Sequence, residues 1–281
     1  MVAAKVAPAF RLEWWHYVAL FFLLVQIAFA VVPRLWPGPL NPLFWYLGMD
    51  RLLWTGLVVL LLLAAVLWSA VYRPFWTSGR LFGFGLLAVL ALMPLTYRVY
   101  PSPNAHRVSK VRFRVPLDGP VRVAWGGNTP NVNYHVAYPD QRWAYDLLVT
   151  DERGKTSRGD GTRLEDYYVY DQPVLAPAAG KVVKVLDGDP DMPIGELGGG
   201  SDPGGNQVVI EVAPDEFLYL CHLKPGSIRV KEGDVVAAGQ EVARVGNSGN
   251  TSEPHLHVDL ENDLRDGLPL YFYGYRSNGR F

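Results

Sequence analysis

The stretch Val245-Gly-Asn-Ser-Gly-Asn-Thr-Ser-Glu-Pro-His-Leu-His257 decides the fold of the C-terminal half of this chain. Its Gly- and Asn-rich part is typical of a turn, and the end of the stretch, together with the apolar residues that follow, is typical of a strand. Alternate residues of a strand lie on one face, so we expect the imidazoles of His255 and His257 to point the same way, about 7 Å apart. Such a pair suits one metal ligand and one acid/base neighbour. An H-x-H pair alone is a weak signal, so the flanking sequence matters.

The sequence on both sides of this stretch predicts β-structure. Val108–Val115 alternates as VSKVRFRV, the period of a half-buried strand. Further strands are predicted at Val121–Ala124, Ala144–Val149, Gly180–Leu186, Gln207–Val212, Phe217–Leu223, Glu241–Val245 and Leu256–Leu260. Turn residues separate them, and no helical period of useful length is present. We therefore predict an all-β, mainly antiparallel domain over residues 99–281, with the loop from Asp187 to Gly205 mobile or at the rim of its site.

The first 98 residues have a different composition, because most of the long apolar runs lie there. The runs are Tyr17–Val32, Leu52–Val71 and Leu81–Tyr97. A helix needs roughly 20 apolar residues to cross a bilayer, and Trp and Tyr residues flank the two shorter runs as an interfacial belt would. We predict a membrane anchor over residues 1–98 with three transmembrane helices at about 16–33, 51–72 and 80–97.

Two other interpretations of this region remain open. The runs could form a buried helical hairpin of a soluble protein. The first run could instead be a signal peptide, since it follows Lys5 and Arg11 and ends in Ala28-Phe-Ala30, which resembles a cleavage site. With three spans and the N-terminus inside the cell, the C-terminal domain lies outside the cytoplasm. If the first segment is cleaved after crossing the membrane, two spans remain and the C-terminal domain is again outside. The prediction is a multi-pass protein of the cell membrane, in contact with membrane lipid.

Charge and cysteine content exclude two classes of interpretation. The net charge is −1, so no overall basic field favours nucleic acid as a partner. The single cysteine, Cys221, cannot form an internal disulfide and lies in an apolar run, so we expect it to be buried.

Five segments follow one another along the β region, and they contain His222, His255 and His257. They read, in order, VLAPAAGKVVKV from Val174, GNQVVIE from Gly205, LYLCHL from Leu218, VKEGDVVAAGQ from Val230 and the stretch from Val245 to His257. This order resembles the lysostaphin/LytM-type zinc metallopeptidases, over roughly residues 128 to 260. The resemblance implies a β-sheet peptidase domain that uses Zn²⁺ and cleaves peptidoglycan peptides during cell-wall remodelling. It does not say which peptide bond is cut, and a protein substrate near the membrane stays open.

The resemblance also implies roles for individual residues. Asp146 and His257 correspond to metal ligands. His255 corresponds to the general base, and His222 to the residue that orients the attacking water or stabilises the oxyanion. Three N/O ligands leave the fourth tetrahedral position of zinc open for that water.

One position departs from the pattern of these peptidases. Their first ligand is a His four residues before the Asp, where this chain has Arg142, which offers no lone pair to a metal. We therefore predict that His135, eleven residues before Asp146, is the third ligand, and that Arg142 pairs with a carboxylate or grips the substrate. The alternative is a catalytically degenerate module that acts as a scaffold or activator of cell-wall hydrolases. A biotinyl or lipoyl carrier is a weaker alternative, because Lys224 and Lys231 lack the setting of a carrier lysine. Glu253 receives no role.

Overall fold

The computed structural model describes residues 11–35, 51–72, 74–93, 99–197 and 201–273. The chain divides into two compact units, Met1–Pro103 and Asn104–Phe281. The first unit is helical and the second is built from strands.

Three helices form the N-terminal unit: α1 (Trp14–Leu35), α2 (Arg51–Val71) and α3 (Ser78–Leu92). They pack around a small apolar core that includes Trp15, Val58, Ala65 and Leu87. Their outward surfaces are also apolar, with large exposed side chains such as Leu60, Leu67 and Phe82. A helix that is apolar all round belongs either in a large protein core or in a membrane.

In the described part of the chain, one helix is long and apolar enough to cross a membrane, the 19-residue segment Leu53–Val71. The apolar segments Trp14–Phe29 and Ser78–Leu92 are shorter. The prediction of three transmembrane helices is therefore not confirmed. The last residues of the third predicted span, 94–97, lie outside the described residues.

A buried arginine holds one end of this helical unit together. Arg80, near the start of α3, pairs with Glu13 at 2.6 Å and donates to the carbonyl oxygens of Ser69, Tyr72 and Pro74. The carbonyls at the C-terminal end of a helix have no partner within the helix, so Arg80 satisfies one carbonyl that α2 leaves open, at Ser69, and two in the segment that follows α2. The arginine therefore has a structural task inside an otherwise apolar unit.

A seven-stranded antiparallel sheet forms the centre of the C-terminal unit, in the order β1-β2-β9-β6-β5-β4-β7, and β3 pairs with β8 in a second, two-stranded sheet. The strands are β1 (Val121–Trp125), β2 (Tyr145–Val149), β3 (Pro173–Leu175), β4 (Gly180–Leu186), β5 (Asn206–Ala213), β6 (Glu216–Leu223), β7 (Val235–Val236), β8 (Glu241–Arg244) and β9 (Leu256–Glu261). The mainly antiparallel β-sheet prediction is confirmed.

Successive side chains of a strand point to opposite faces of the sheet, so the two faces of the central strands carry different residues. Leu256, Val258 and Leu260 of β9 point into the apolar core, together with Leu218 and Leu220 of β6. The residues between them on β9 are polar and lie on the opposite face. That second face carries the candidate site.

One predicted strand is wrong. Val108–Val115 forms no strand, and its only ladder contact within the described residues is an isolated bridge between Phe113 and Phe272. Phe113 and Val115 are buried in the core, so the alternation reflects one side packed on the domain without a partner strand along its length. The other predicted strands are present with ends that differ by at most one residue, and the short strands β3 and β7 were not predicted.

Candidate metal centre

A row of side chains across four strands places the first part of the site. In the antiparallel registers, Trp125 of β1 faces Asp146 of β2, Asp146 faces His257 of β9, and His257 faces Cys221 of β6. Directly paired residues have their side chains on the same face of a sheet. Asp146 and His257, far apart in sequence, therefore become immediate neighbours. Cys221 is buried as expected, and burial raises the pKa of its thiol.

His135 reaches the same place from a short helical turn, Tyr134–Ala137, just before β2. Asn133 precedes this turn and is fully buried, and both the oxygen and the nitrogen of its side-chain amide make hydrogen bonds. Its Oδ1 accepts from the backbone N–H of His135 at 3.1 Å and from Nδ1 at 2.8 Å. Its Nδ2 donates to the carbonyl oxygens of Gly127 and Ala144 at 3.0 and 3.2 Å. One amide thus fixes both the loop and the ring.

The three predicted metal ligands, His135, Asp146 and His257, lie close together. Nδ1 of His257 lies 2.9 Å from Oδ1 of Asp146, and Nε2 of His135 lies 3.7 Å from Oδ2 of Asp146. One potential ligand atom from each residue lies within 4.8 Å of the other two. Tetrahedral zinc with bonds of about 2.0–2.1 Å separates its ligand atoms by roughly 3.4 Å. The group could therefore hold a metal ion.

The hydrogen bonds on the far side of both rings agree with this use. Assigning ring protons from these partners, His135 donates from Nδ1 to Asn133, and His257 donates from Nε2 to Oδ1 of Asp259 at 3.2 Å. The remaining nitrogens, Nε2 of His135 and Nδ1 of His257, then present lone pairs beside Asp146. Metal-binding histidines characteristically have such outer partners, so the residues fit a metal ion.

The electrostatics of the cluster call for one positive charge. Burial and the neighbouring His257 lower the pKa of His135 to about 3. Burial also lowers the pKa of His257, but the carboxylates of Asp146 and Asp259 outweigh it and raise that pKa to about 10. Burial opposes ionisation of Asp146, yet the surrounding histidines hold its pKa below the ordinary value. Either a proton or a divalent cation can satisfy this carboxylate.

His222 enters the site through an irregular backbone. Its neighbour Cys221 pairs with His257, so a regular strand would turn His222 to the opposite face. Instead His222 has φ +61°, at a register shift between β5 and β6, and its ring centroid lies 5.8 Å from that of His257. A non-glycine residue in this region is uncommon, and such backbone frequently lies at functional sites.

The same segment fixes the ring of His222. Its Nδ1 donates to the carbonyl oxygen of Ser248 at 2.8 Å. Gly205, at φ +59°, packs so closely on Ser248 that a Cβ there would lie 2.4 Å from the Ser248 carbonyl carbon. Glycine at 205 therefore allows the turn that presents this carbonyl. Burial and the charge of His255 place the pKa of His222 well below its ordinary value.

His255 lies immediately before β9 rather than within it. Its Nδ1 is 2.9 Å from the carbonyl oxygen of Glu253 and 3.2 Å from Oγ1 of Thr251. Its Nε2 is buried, has no hydrogen-bond partner among the described residues, and lies 3.6 Å from Oδ1 of Asp146. The rings of His222 and His255 are 4.7 Å apart. Both predicted catalytic histidines thus lie beside His135, Asp146 and His257, which are called the metal-ligand group below.

Part of the loop that was predicted to be mobile or at the rim of the site contacts the segment beside Ser248, and residues 198–200 of that loop lie outside the described residues. Oδ1 of Asp191 accepts from the backbone N–H of Asn247, next to Ser248. Glu253 contributes its backbone carbonyl to His255.

Arg142 is buried. Its Nη2 donates to Oδ1 of Asn128 at 2.6 Å, and its guanidinium lies over the ring of Trp143. Burial lowers the pKa of Arg142 to about 10.

Sequence reasoning missed three groups that support the site. They are Asn133, Thr251 and Asp259, for which the sequence analysis predicts no role. For Asp259 a signal was present, because H-x-H-x-D in a strand places a carboxylate on the face of the histidines. The degenerate-module alternative required an incomplete ligand group, and the position of His135 does not favour it.

A family model matches part of the domain that carries this site, and several solved structures are similar to the chain. Residues 164–267 match the family model described as Peptidase family M23, a region that includes His222, His255 and His257. Among solved structures, a putative peptidase M23 from Pseudomonas aeruginosa is 20% identical, with 58% of this chain and 50% of that chain covered and a TM-score of 0.35. A zinc-containing peptidase from Vibrio cholerae is 21% identical, with 57% and 39% covered and a TM-score of 0.36.

The catalytic domain of a prophage-encoded M23 protein from Enterococcus faecalis is 23% identical, with 58% of this chain and 98% of that domain covered and a TM-score of 0.38. The chain thus spans half or less of the first two proteins but nearly all of this isolated domain. Residues 164–267, with the histidines they contain, are thus similar to peptidase family M23, whose members are zinc-dependent metallopeptidases.

Proposed function

We propose that this protein is a membrane-anchored zinc metalloendopeptidase that cleaves peptidoglycan peptides outside the cytoplasm. The observation that carries the proposal is the convergence of His135, Asp146 and His257 beside two further histidines whose Nε2 atoms are not used to hold the fold. A structural cluster would have no need of two such rings next to a buried group that requires a positive charge.

In this proposal the zinc ion is held by Nε2 of His135, a carboxylate oxygen of Asp146 and Nδ1 of His257. When bound, zinc acts as a Lewis acid that polarises the scissile carbonyl and makes water a stronger nucleophile near neutral pH. Asn133 holds the imidazole of His135 in the tautomer that this binding requires.

His255 is the proposed general base. Because its Nδ1–H is directed to the carbonyl oxygen of Glu253, its Nε2 has the lone pair that accepts a proton from the attacking water. The protonated ring can then give that proton to the leaving amine. A histidine suits both steps, because its ordinary pKa is close to neutral pH.

His222 is the proposed second partner of the water. Its lowered pKa keeps the ring neutral, and its Nδ1–H is donated to Ser248. Nε2 is therefore an acceptor, so it can take a hydrogen bond from the water and orient it. This assignment favours water orientation over direct donation to the oxyanion.

Peptidoglycan peptides are the proposed substrate class because residues 164–267 are similar to a family of peptidases that act on them. The three apolar helices of residues 1–98 are the proposed anchor. With the N-terminus inside the cell, three spans would put the domain on the outer side. Residues of α1 and α3 would reach the full thickness of a bilayer only with their flanking segments.

Zinc content and wall digestion, measured on the full chain in detergent, test the proposal together. We expect about one zinc per chain and release of peptide fragments from purified peptidoglycan, abolished by a chelator and restored by zinc. His257→Ala should remove zinc and activity, whereas His106→Ala, at an exposed histidine outside the site, should change neither. A chain that takes up no added zinc, or that binds zinc and digests no wall peptide, would refute the enzyme assignment.

A further inference from the structure

We propose that Asp259 is a positioning residue for the metal centre: it sets the tautomer of His257 so that Nδ1 carries the lone pair for zinc. The inference rests on the proposed zinc site and deepens it. It concerns a residue to which neither the sequence pattern nor the family match assigns a role.

The geometry places Asp259 directly behind His257. The two residues are alternate positions of β9, so both side chains lie on the same face. Oδ1 of Asp259 lies 3.2 Å from Nε2 of His257, while Nδ1 on the other side of the ring lies 2.9 Å from Asp146. The imidazole is therefore held between two carboxylates, one on each nitrogen.

The chemistry of imidazole makes this arrangement directional. A neutral imidazole has one N–H donor and one lone pair, and the partner of the N–H decides which nitrogen is which. A carboxylate is an acceptor only, so Asp259 requires the proton on Nε2. Nδ1 is then left without a proton, and it can bind a cation together with Asp146.

The burial of Asp259 has a cost that its other contacts do not offset. The side chain is 3% exposed, and its Oδ2 has no hydrogen-bond partner among the described residues. Among the residues that the structure describes, His257 is the only ion-pair partner of Asp259. Glu261, the next residue on this face, has Arg265 as a partner instead. A buried charge paired only with a histidine is explained if its task concerns that histidine.

Glu261 also offers a matched control. It is as buried as Asp259, lies on the same face of β9 and is a carboxylate, but its hydrogen bonds go to Arg265 and away from the metal-ligand group. A variant at Glu261 therefore reports the general effect of changing a buried carboxylate in this strand.

Zinc affinity of the full chain in detergent tests the inference. Metal-free protein is titrated with zinc in competition with a chromophoric chelator. In Asp259→Asn, the amide can turn its N–H₂ toward Nε2 and favour the other tautomer. We expect roughly 10–100-fold weaker zinc binding, and a weaker visible spectrum when cobalt(II) replaces zinc. Asp259→Glu, which keeps an acceptor-only group, should recover part of the affinity, and Glu261→Gln should bind zinc as the unchanged chain does.

Circular dichroism and thermal unfolding of the metal-free variants show whether each remains folded. A folded Asp259→Asn with unchanged zinc affinity would overturn the inference and leave the enzyme assignment intact. A wild-type chain that binds no zinc would overturn the enzyme assignment itself.

A measurement on the unsubstituted protein decides the matter even if the variants fail to fold. Long-range proton–nitrogen spectra of ¹⁵N-histidine-labelled, zinc-loaded protein should show His257 protonated at Nε2. Zinc on Nε2 with the proton on Nδ1 would refute the role of Asp259.

Discussion

Asn133→Ala tests how His135 is brought to the metal-ligand group. The substitution removes an amide that is fully buried and makes four hydrogen bonds, two through Oδ1 to His135 and two through Nδ2 to the carbonyls of Gly127 and Ala144. A neutral hydrogen bond contributes about 0.5–1.5 kcal/mol, and a buried group left unsatisfied costs about 1–3 kcal/mol. We expect a loss of roughly 2–4 kcal/mol in the local stability of this loop.

The same substitution should also weaken zinc binding. Without Oδ1 of Asn133, Nδ1–H of His135 loses the acceptor that holds the ring, and loss of such an outer partner weakens metal binding about 10–100-fold. Hydrogen exchange on peptides that span Gly127–Val149 measures the local stability, and chelator competition measures the zinc affinity.

Asn133→Asp separates the two halves of the amide. It keeps an acceptor toward His135 but places an oxygen against the two carbonyls that Nδ2 contacted. It should therefore loosen the loop while leaving the ring contact available. If folded Asn133→Ala binds zinc as tightly as the unchanged chain, then His135 is not held as proposed, and the reasoning from Asn133 fails.

Three other predictions follow from the site and the anchor. His255→Ala should keep its zinc but lose activity roughly 10²–10⁴-fold, measured by wall digestion and metal analysis; loss of zinc comparable with that of His257→Ala would show that the ligand and base are exchanged. Gly205→Ala should lower the melting temperature and the activity, because its Cβ meets the Ser248 backbone and its φ is positive; an unchanged melting temperature in a thermal shift assay would contradict the packing argument. A reporter that works only outside the cytoplasm, fused after Phe281, should be active; activity from a cytoplasm-only reporter instead would reverse the proposed topology.

The residues of the candidate site were easier to predict from the sequence than the groups that hold them in position. Asp146, His257, His255 and His222 could be placed because they lie in or next to short segments with a local pattern. The hydrogen-bond partners Ser248 and Asn133 could not be predicted, because no sequence pattern shows which backbone carbonyl or buried amide will bind a histidine ring. The false strand at Val108–Val115 has a related cause: alternation reports which side chains are buried, whereas a strand also needs a neighbour with matching backbone groups.

Some features were determined by the sequence itself, because they depend on neighbours along the chain. Alternation in β9 determines that His257 and Asp259 share a face, and the composition of residues 1–98 determines a helical, apolar unit. Other features were decided only by the tertiary structure. His135 joins Asp146 because a loop closes on Asn133, and Asp146 meets His257 because β2 pairs with β9 in one register. His222 joins them because the backbone breaks its alternation at φ +61°. Register, loop closure and bulges depend on contacts between residues distant in sequence, and a local pattern contains no record of those contacts.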